Sequence, residues 1–400
     1  MKRFAVLAAA VALLAAGSAQ AQKKYSPGAS DTEIRIGQTM PYSGPASAYG
    51  VIGKAEAAYF AMVNEQGGVN GRRIEFLSLD DGYSPPRTVE QTRRLVEQDE
   101  VLFIFQSLGT PTNSAIQKYL NARKVPHLFL ATGATKWADP RSYPWTMGFN
   151  PTYQTEARIY AQHILKTRPD AKIALLYQND DFGKDYLTGF KGMLGDRAAK
   201  MIVAEQTYEV TDPTVDSQVV SLKSSGADTL LTFATPKFAA QVVRKVGEIG
   251  WKPVHYLTNV SISVSAVLQP AGLDRATGLI TAAYAKDPTD PQWKNDPGTK
   301  AWEQWMQKYH KSGNLEDGFN VYGYTAAQAM VHVLRACGDD LTRENIMRQA
   351  ASLRKLELPM MLPGVTLSTS PTDFNPIGEM QLSRFDGKRW VPFGEVLSGR

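Results

Sequence analysis

VLFIFQSLGTPTNSAIQKYLNARKVPHLFLA, residues 101–131, decides the fold. VLFIF (101–105) is wholly apolar and short. NSAIQKYLNARK (113–124) reads as a helix, and VPHLFLA (125–131) is again an apolar strand. Apolar strands separated by helices of ten or more residues point to a parallel sheet covered on both faces. The same alternation extends upstream. Ile34 and Ile36 begin a strand, IRIGQTM, and the Gly/Ser/Pro-rich loop PYSGPASAYG (41–50) follows. Val51, Ala55, Ala58, Tyr59, Met62 and Val63 then recur at helical spacing until Gly67-Gly68 stops them. RIEFLSL (73–79) is the next strand and TVEQTRRLVEQ (88–98) the next helix.

After Thr146-Met147-Gly148 the cycle restarts. TEARIYAQHILK is followed by KIALLY, a helix over 186–194, MIVAEQTY, VDSQVVSLKSSG, TLLTF, AAQVVRKVGEIG and VHYLT. Two series of similar length predict two doubly wound α/β domains. Residues 302–352 read as mostly helical, with Trp302, Trp305, Met306 and Tyr309 on one face as core. MQLSRF and RWVPFGE flank Asp386-Gly387, a hairpin signal.

The first 21 residues, MKRFAVLAAAVALLAAGSAQA, carry a basic start, an apolar run from Phe4 to Ala16 and a small-residue end, Ala19-Gln20-Ala21. That is the pattern of a secretory signal peptide, too short for a permanent span. The expected mature protein starts near Gln22 and works outside the cytoplasmic membrane without inserting into it. Loss of Lys2 and Arg3 lowers the formal charge from +5 to about +3, and the basic residues form no cluster, so nucleic acid is not an expected partner. The single cysteine, Cys337, closes an apolar helix and reads as a buried thiol.

Enzyme signatures are missing. The sequence contains no phosphate loop, no G-x-G-x-x-G, no H-E-x-x-H and no G-x-S-x-G. The five histidines, His127, His163, His255, His310 and His332, are scattered. Asp80-Asp81 and Asp180-Asp181 read as loop acids or helix caps. No cofactor or metal is expected, and no enzyme activity. What the chain does offer is loops. PYSGPASAYG, QSLGTPTNSA (106–115) and ATGATKWADP (131–140) each follow a strand and are rich in Gly, Ser and Thr. In doubly wound sheets ligands bind at the carboxyl ends of strands. Hydroxyls and unpaired N–H groups at helix starts suit a carboxylate there, although the same residues also serve as plain helix caps.

These residues carry a resemblance. SGPASAYG and NEQGGVNGRRIEFLSLDDGYSPPRTVEQTRRLVEQDEV (64–101) look like the opening of the periplasmic leucine/isoleucine/valine-binding proteins, the solute receptors of ABC importers for branched-chain amino acids. GTPTNSA and ATGAT fall where that family places its ligand loops. YQNDDFGKDYLTGF, SGADTLLTF and the tail hairpin follow in the expected order. The resemblance implies a type I periplasmic binding protein, a clamshell of two lobes joined by three hinge crossings. Lobe 1 would be 30–150 plus 283–357, and lobe 2 would be 151–282 plus 358–400. It implies a monomer that closes on a small carboxylate, a branched-chain or hydrophobic amino acid or an aromatic or aliphatic acid, and delivers it to an ABC permease in the inner membrane. A periplasmic sensor is the alternative, and a secreted hydrolase ranks below it.

Carried over position by position, the resemblance implies first-lobe contacts from Tyr49, Gly109, Thr110, Thr112, Gly133 and Thr135. In the second lobe it implies Phe182 and Thr235. The two half-cystines of some relatives are absent. The family's ammonium-binding glutamate should follow VHYLT, but NVSISVS (259–265) has no acid. A desolvated ammonium without a carboxylate costs several kcal/mol. The expectation is therefore that an acid lacking the amine binds more tightly than the matching amino acid, unless Asp180, Asp181 or Glu209 supplies the partner.

Overall fold

The computed structural model describes residues 23–398, so the expected leader lies outside the described residues. A short strand, β1 (Lys24–Tyr25), leads into β2 (Glu33–Met40), α1 (Gly50–Glu65), β3 (Arg73–Asp80) and α2 (Pro85–Glu97). Then come β4 (Phe103–Phe105), α3 (Thr110–Ala122), β5 (His127–Leu130) and β6 (Thr146–Gly148). β2 to β6 form one parallel sheet in the order β3-β2-β4-β5-β6. The central strand is the apolar VLFIF segment, and its Phe103, Ile104 and Phe105 are fully buried, as covering on both faces requires.

The second series runs α4 (Tyr153–Thr167), β7 (Ile173–Gln178), α5 (Asp181–Leu194), β8 (Ile202–Tyr208) and α6 (Asp216–Ser224). It continues with β9 (Thr229–Phe233), α7 (Pro236–Glu248), β10 (Val254–Leu257) and β11 (Ile280–Ala283). These strands are parallel in the order β8-β7-β9-β10-β11. Both sheets thus place their strands in the sequence second, first, third, fourth, fifth. The chain then returns to the first layer with α8 (Pro297–Tyr309), α9 (Gly318–Cys337), β12 (Asp340–Leu341) and α10 (Arg343–Ala350). α8 and α9 pack on α1, and β12 pairs with β1. Phe374 N still donates to Ala138 O at 3.3 Å. Only then does the hairpin β13 (Glu379–Phe385) and β14 (Trp390–Ser398) add two antiparallel strands beside β11. The backbone therefore passes between the sheets three times, after Gly148, after Ala283 and before Glu379.

β6 and β11 are strands that the sequence pattern does not single out; each is short and found through its sheet partner. Trp302, Trp305 and Met306 are core as expected. Cys337 is buried, its Sγ donating to Val333 O at 3.3 Å, and burial pushes the thiol up to about 12. No helix among the described residues is long and apolar enough to cross a membrane.

Candidate functional site

In a doubly wound sheet of this order, the first and third strands send their connections to opposite faces, and the crevice opens between their carboxyl ends. In the first sheet these ends lead to Tyr49, after β2, and to Gly109-Thr110, after β4. In the second they lead to Phe182, after β7, and to Thr235, after β9. All five line one cavity of about 130 Å³. One water needs roughly 10–15 Å³, so the space suits a small organic molecule.

Local chemistry sets each wall. Gly109 has φ +99°, and a Cβ there would run into the Tyr83 ring, so the chain can enter α3 only with glycine. That entry places Thr110 at the first turn of α3, where N–H groups lack intrahelical partners. Thr110 Oγ1 shares a hydrogen bond of 2.6 Å with Thr132 Oγ1. Across the cavity, Asp180 caps α5 by accepting from Phe182 N at 2.9 Å, which fixes the ring of Phe182 edge-on to Tyr153 at 5.1 Å. Thr235 N donates to Tyr208 Oη at 2.9 Å.

Three expected contacts do not line the cavity. Thr112 Oγ1 turns back to donate to Leu108 O and Gly109 O, as helical threonines do. Gly133 accepts from Tyr153 N at 2.7 Å and lies behind that ring. Thr135 is held by Asp185, whose Oδ2 accepts its N–H at 2.7 Å and its hydroxyl at 2.9 Å. Trp137 is fully buried away from the cavity.

Other lining residues carry no local signal in the sequence. Tyr83 stands at φ +60°, a conformation uncommon for a bulky side chain. Buried Asp81 clamps it by accepting Tyr83 N at 2.9 Å and the Thr88 hydroxyl at 2.8 Å, and burial pushes that carboxyl up to about 6. Tyr284, Phe319, Tyr322 and Trp390 complete a largely aromatic enclosure. Tyr322 Oη donates to Asn150 at 2.6 Å. Among the described residues only two charged ones, Lys286 and Asp287, reach the wall, and both are engaged. Lys286 Nζ donates to Asp296 and to Pro359 O, each at 2.7 Å. Asp287 accepts from Trp390 N at 2.9 Å and from Thr289, and burial holds its carboxyl above the usual range.

The candidate ammonium partners are elsewhere. Asp180 is a helix cap, Asp181 pairs with Lys136 at 2.7 Å, and Glu209 accepts from Asn179 at 2.7 Å; none lines the cavity. An acid nevertheless lies directly behind NVSISVS. Glu156, fully buried on α4, accepts from Asn259 N at 2.8 Å and from the Asn259 side-chain amide. Tyr160 and Tyr186 hydroxyls also donate to it, each at 2.6 Å, and burial pushes the carboxyl up to about 7. NVSISVS itself has no acid, as the sequence shows, and the acid behind it comes from a helix 103 residues upstream in sequence.

Four histidines are tied to polar partners: His127 to Asn113, His163 to Tyr256, His255 to Thr232 and His310 to Asn320. No histidine or cysteine lines the cavity, and no metal-holding group of His, Cys, Asp and Glu occurs among the described residues.

A sequence profile of the periplasmic binding protein family matches residues 33–389, and the chain belongs to that family. Leu/Ile/Val-binding protein homolog 7 of Brucella abortus (strain 2308) is 26% identical over 347 residues, covering 82% of this chain and 81% of the relative. Two solved structures share the fold. A branched chain amino acid ABC transporter protein from Thermus thermophilus with bound valine superposes with a TM-score of 0.83 at 17% identity, covering 92% of this chain and 97% of that one. A fatty acid ABC transporter substrate-binding protein from Thermomonospora curvata gives 0.77 at 22% identity, covering 94% and 95%.

Proposed function

We propose that the protein is the periplasmic solute receptor of an ABC importer and closes on a small carboxylate with an apolar body. The observation that carries the reading is the shared cavity lined from the crevices of two like-ordered sheets. In this reading the sheets are the cores of two lobes, 30–150 plus 283–357 and 151–282 plus 358–400, with 358–378 as the third connection. The ligand contacts are Tyr49, Gly109, Thr110, Phe182 and Thr235. The start of α3 and the Thr110 hydroxyl receive the carboxylate, and the rings enclose the body, that of a hydrophobic amino acid or of an aromatic or aliphatic acid. No chemistry is performed. A ligand touching both walls favours the closed form by its differential affinity, and that form docks on the permease. Bonds already joining the walls support this: Ser263 Oγ donates to Asp317 at 2.8 Å, and Lys136 reaches Asp181.

A thermal-shift screen of amino acids, aromatic acids and aliphatic acids tests it. A ligand at about 100 times its Kd should add about 2.7 kcal/mol of stability. Small-angle scattering should then show a smaller radius of gyration with that ligand. Tight binding without compaction would remove the closure mechanism, and turnover of the bound compound would restore an enzyme.

A further inference from the structure

The cavity extends well beyond the five contacts named above. Tyr83 covers Gly109 and reaches the Gln178 side chain, whose oxygen also accepts from the Tyr208 and Thr235 hydroxyls, so the start of α3 faces Thr235. From there the lining runs past Val264, after β10, and Tyr284, after β11, to Ser383 and Pro392 of the terminal hairpin. β9, β10, β11 and β13 are successive neighbours in the second sheet. Adjacent strands lie about 4.8 Å apart, so the strands that carry Thr235 and Ser383 are separated by about 14 Å. An extended carbon chain advances about 1.3 Å per bond, so a leucine seated by its carboxylate at the start of α3 covers only about 5 Å of that distance.

The far end is a preformed apolar arm. Leu362 N donates to Tyr284 O and Lys286 N to Met360 O, each at 2.9 Å, which ties the segment after β11 to the third connection. On the other side, Trp390 N donates to Asp287 at 2.9 Å and its Nε1 to Ile262 O at 2.8 Å, which fixes the indole. Tyr284, Leu362 and Trp390 are buried, and the Trp293 ring stands 5.1 Å from the Lys286 ammonium. Lys286 and Asp287 are held by protein partners. Apart from Ser383 and the Tyr284 hydroxyl, the side chains of the arm therefore present rings and aliphatic carbon to a ligand.

We propose that the segment after β11, Leu362 and the terminal hairpin form a second, apolar subsite, and that the ligand is an extended monocarboxylate of about eight to ten carbons whose far end lies in it. The inference rests on the receptor reading above and names the ligand class within it. The volume of about 130 Å³ holds roughly 9–13 water-sized atoms, the count of a straight-chain acid of about eight to ten carbons. Such a chain reaches about 9–11 Å from its carboxyl carbon, past β10 and into the arm. A short acid leaves the arm to water against rings and aliphatic carbon, and each further methylene removes more of that surface from water.

Isothermal titration with leucine and with straight-chain acids from butanoate to dodecanoate, in steps of two carbons, provides the test. In the wild type, affinity should rise about three- to fourfold per added carbon and level off at about eight to ten carbons, with one ligand per chain. Ala285 lines the arm, and Ala285→Leu fills part of it. The affinity of decanoate relative to hexanoate should then fall by about tenfold or more. Trp293→Ala, which removes a lining ring from a partly exposed turn, should lower the same ratio by about threefold or more and serves if Ala285→Leu does not fold. Leucine or hexanoate binding as tightly as octanoate and decanoate in the wild type overturns the subsite and leaves the receptor reading standing. A gain that runs on without a stop through dodecanoate shows unspecific partition and overturns it as well, as does a ratio unchanged in the folded variants. Absence of binding by every acid in the series overturns the receptor reading and this proposal together.

Discussion

The Tyr49 hydroxyl donates to the carbonyl oxygen of Val260 at 3.0 Å, joining residues 211 positions apart in sequence. Tyr49 immediately precedes α1 beside the first sheet, and Val260 follows β10 of the second, so the bond closes one side of the cavity with protein alone. Tyr49 also packs against Phe319, ring centroids 5.1 Å apart, so its ring is fixed independently of the hydroxyl. Tyr49→Phe should keep the packing and lose only the bond. Ligand affinity should fall by about 0.5–1.5 kcal/mol, with the melting temperature of the ligand-free protein nearly unchanged. Titration calorimetry beside differential scanning fluorimetry separates the two quantities.

Thr110 and Thr112 should respond oppositely. Thr110→Val removes a hydroxyl from the cavity wall and should cost about 1–3 kcal/mol of binding to a carboxylate. Thr112→Val removes a bond to the backbone of the turn before α3 and should lower thermal stability by about 1 kcal/mol while affinity stays within about twofold. Equal affinity losses at the two positions would move the anchor deeper than Thr110.

Glu156 makes a pH prediction whose sign follows from burial. Its folded carboxyl titrates near 7, pushed up by desolvation, while unfolded glutamate titrates near 4.3. Between these values the folded form holds a proton that the unfolded chain has released. Stability should therefore decline as pH rises through this window and level off above about 7. Removing the ionisable group in Glu156→Gln should flatten the profile, by an amount on the order of 3 kcal/mol. Asp81, pushed up to about 6, slopes in the same direction, so the difference between wild type and variant is the quantity to read in urea melts from pH 5 to 8.

Lys286 is nearly buried and bonded to Asp296, which is still a quarter exposed. Lys286→Met keeps the length of the stem over the Trp293 ring but removes the cation from Asp296, which keeps only its cap bonds from Thr299. The loss of stability should be about 1–3 kcal/mol, less than for a fully buried pair because water still reaches the acid. Carboxylate affinity should change by less than about threefold. A collapse of binding without loss of stability would make Lys286 the anion contact.

Much of the fold was legible because period and length agree locally. VLFIF, KIALLY and TLLTF are apolar runs bounded by helices, and each supplies an interior strand. The cavity was half legible. Loops after strands of a doubly wound sheet point to the segments that hold Tyr49, Gly109 and Thr110, whereas the individual contacts, Phe182 and Thr235 among them, are implied by the family resemblance alone. Thr112, Gly133 and Thr135 have the same composition, but their partners are the α3 turn, Tyr153 and Asp185, and none of the three reaches the cavity wall. Glu156 was invisible for a different reason. It stands second in TEARIYAQHILK, in the first turn of α4, where an acid reads as an ordinary helix-start residue, and only packing against Asn259, 103 residues on, places it behind the wall. β11 is four residues long and is defined by β10 and β13, so no local pattern could mark it.

Tying Lys286 to Asp296 leaves no free cation on the cavity wall among the described residues, and this bears on ionic strength. An anion gripped by exposed lysines loosens as salt screens the attraction, over a Debye length near 10 Å at about 0.1 M. An anion seated on backbone N–H groups and a hydroxyl inside an aromatic enclosure is held at contact distance, where dissolved ions do not enter. Its grip should persist from fresh water to brine, and an organism meeting both would need only one such receptor.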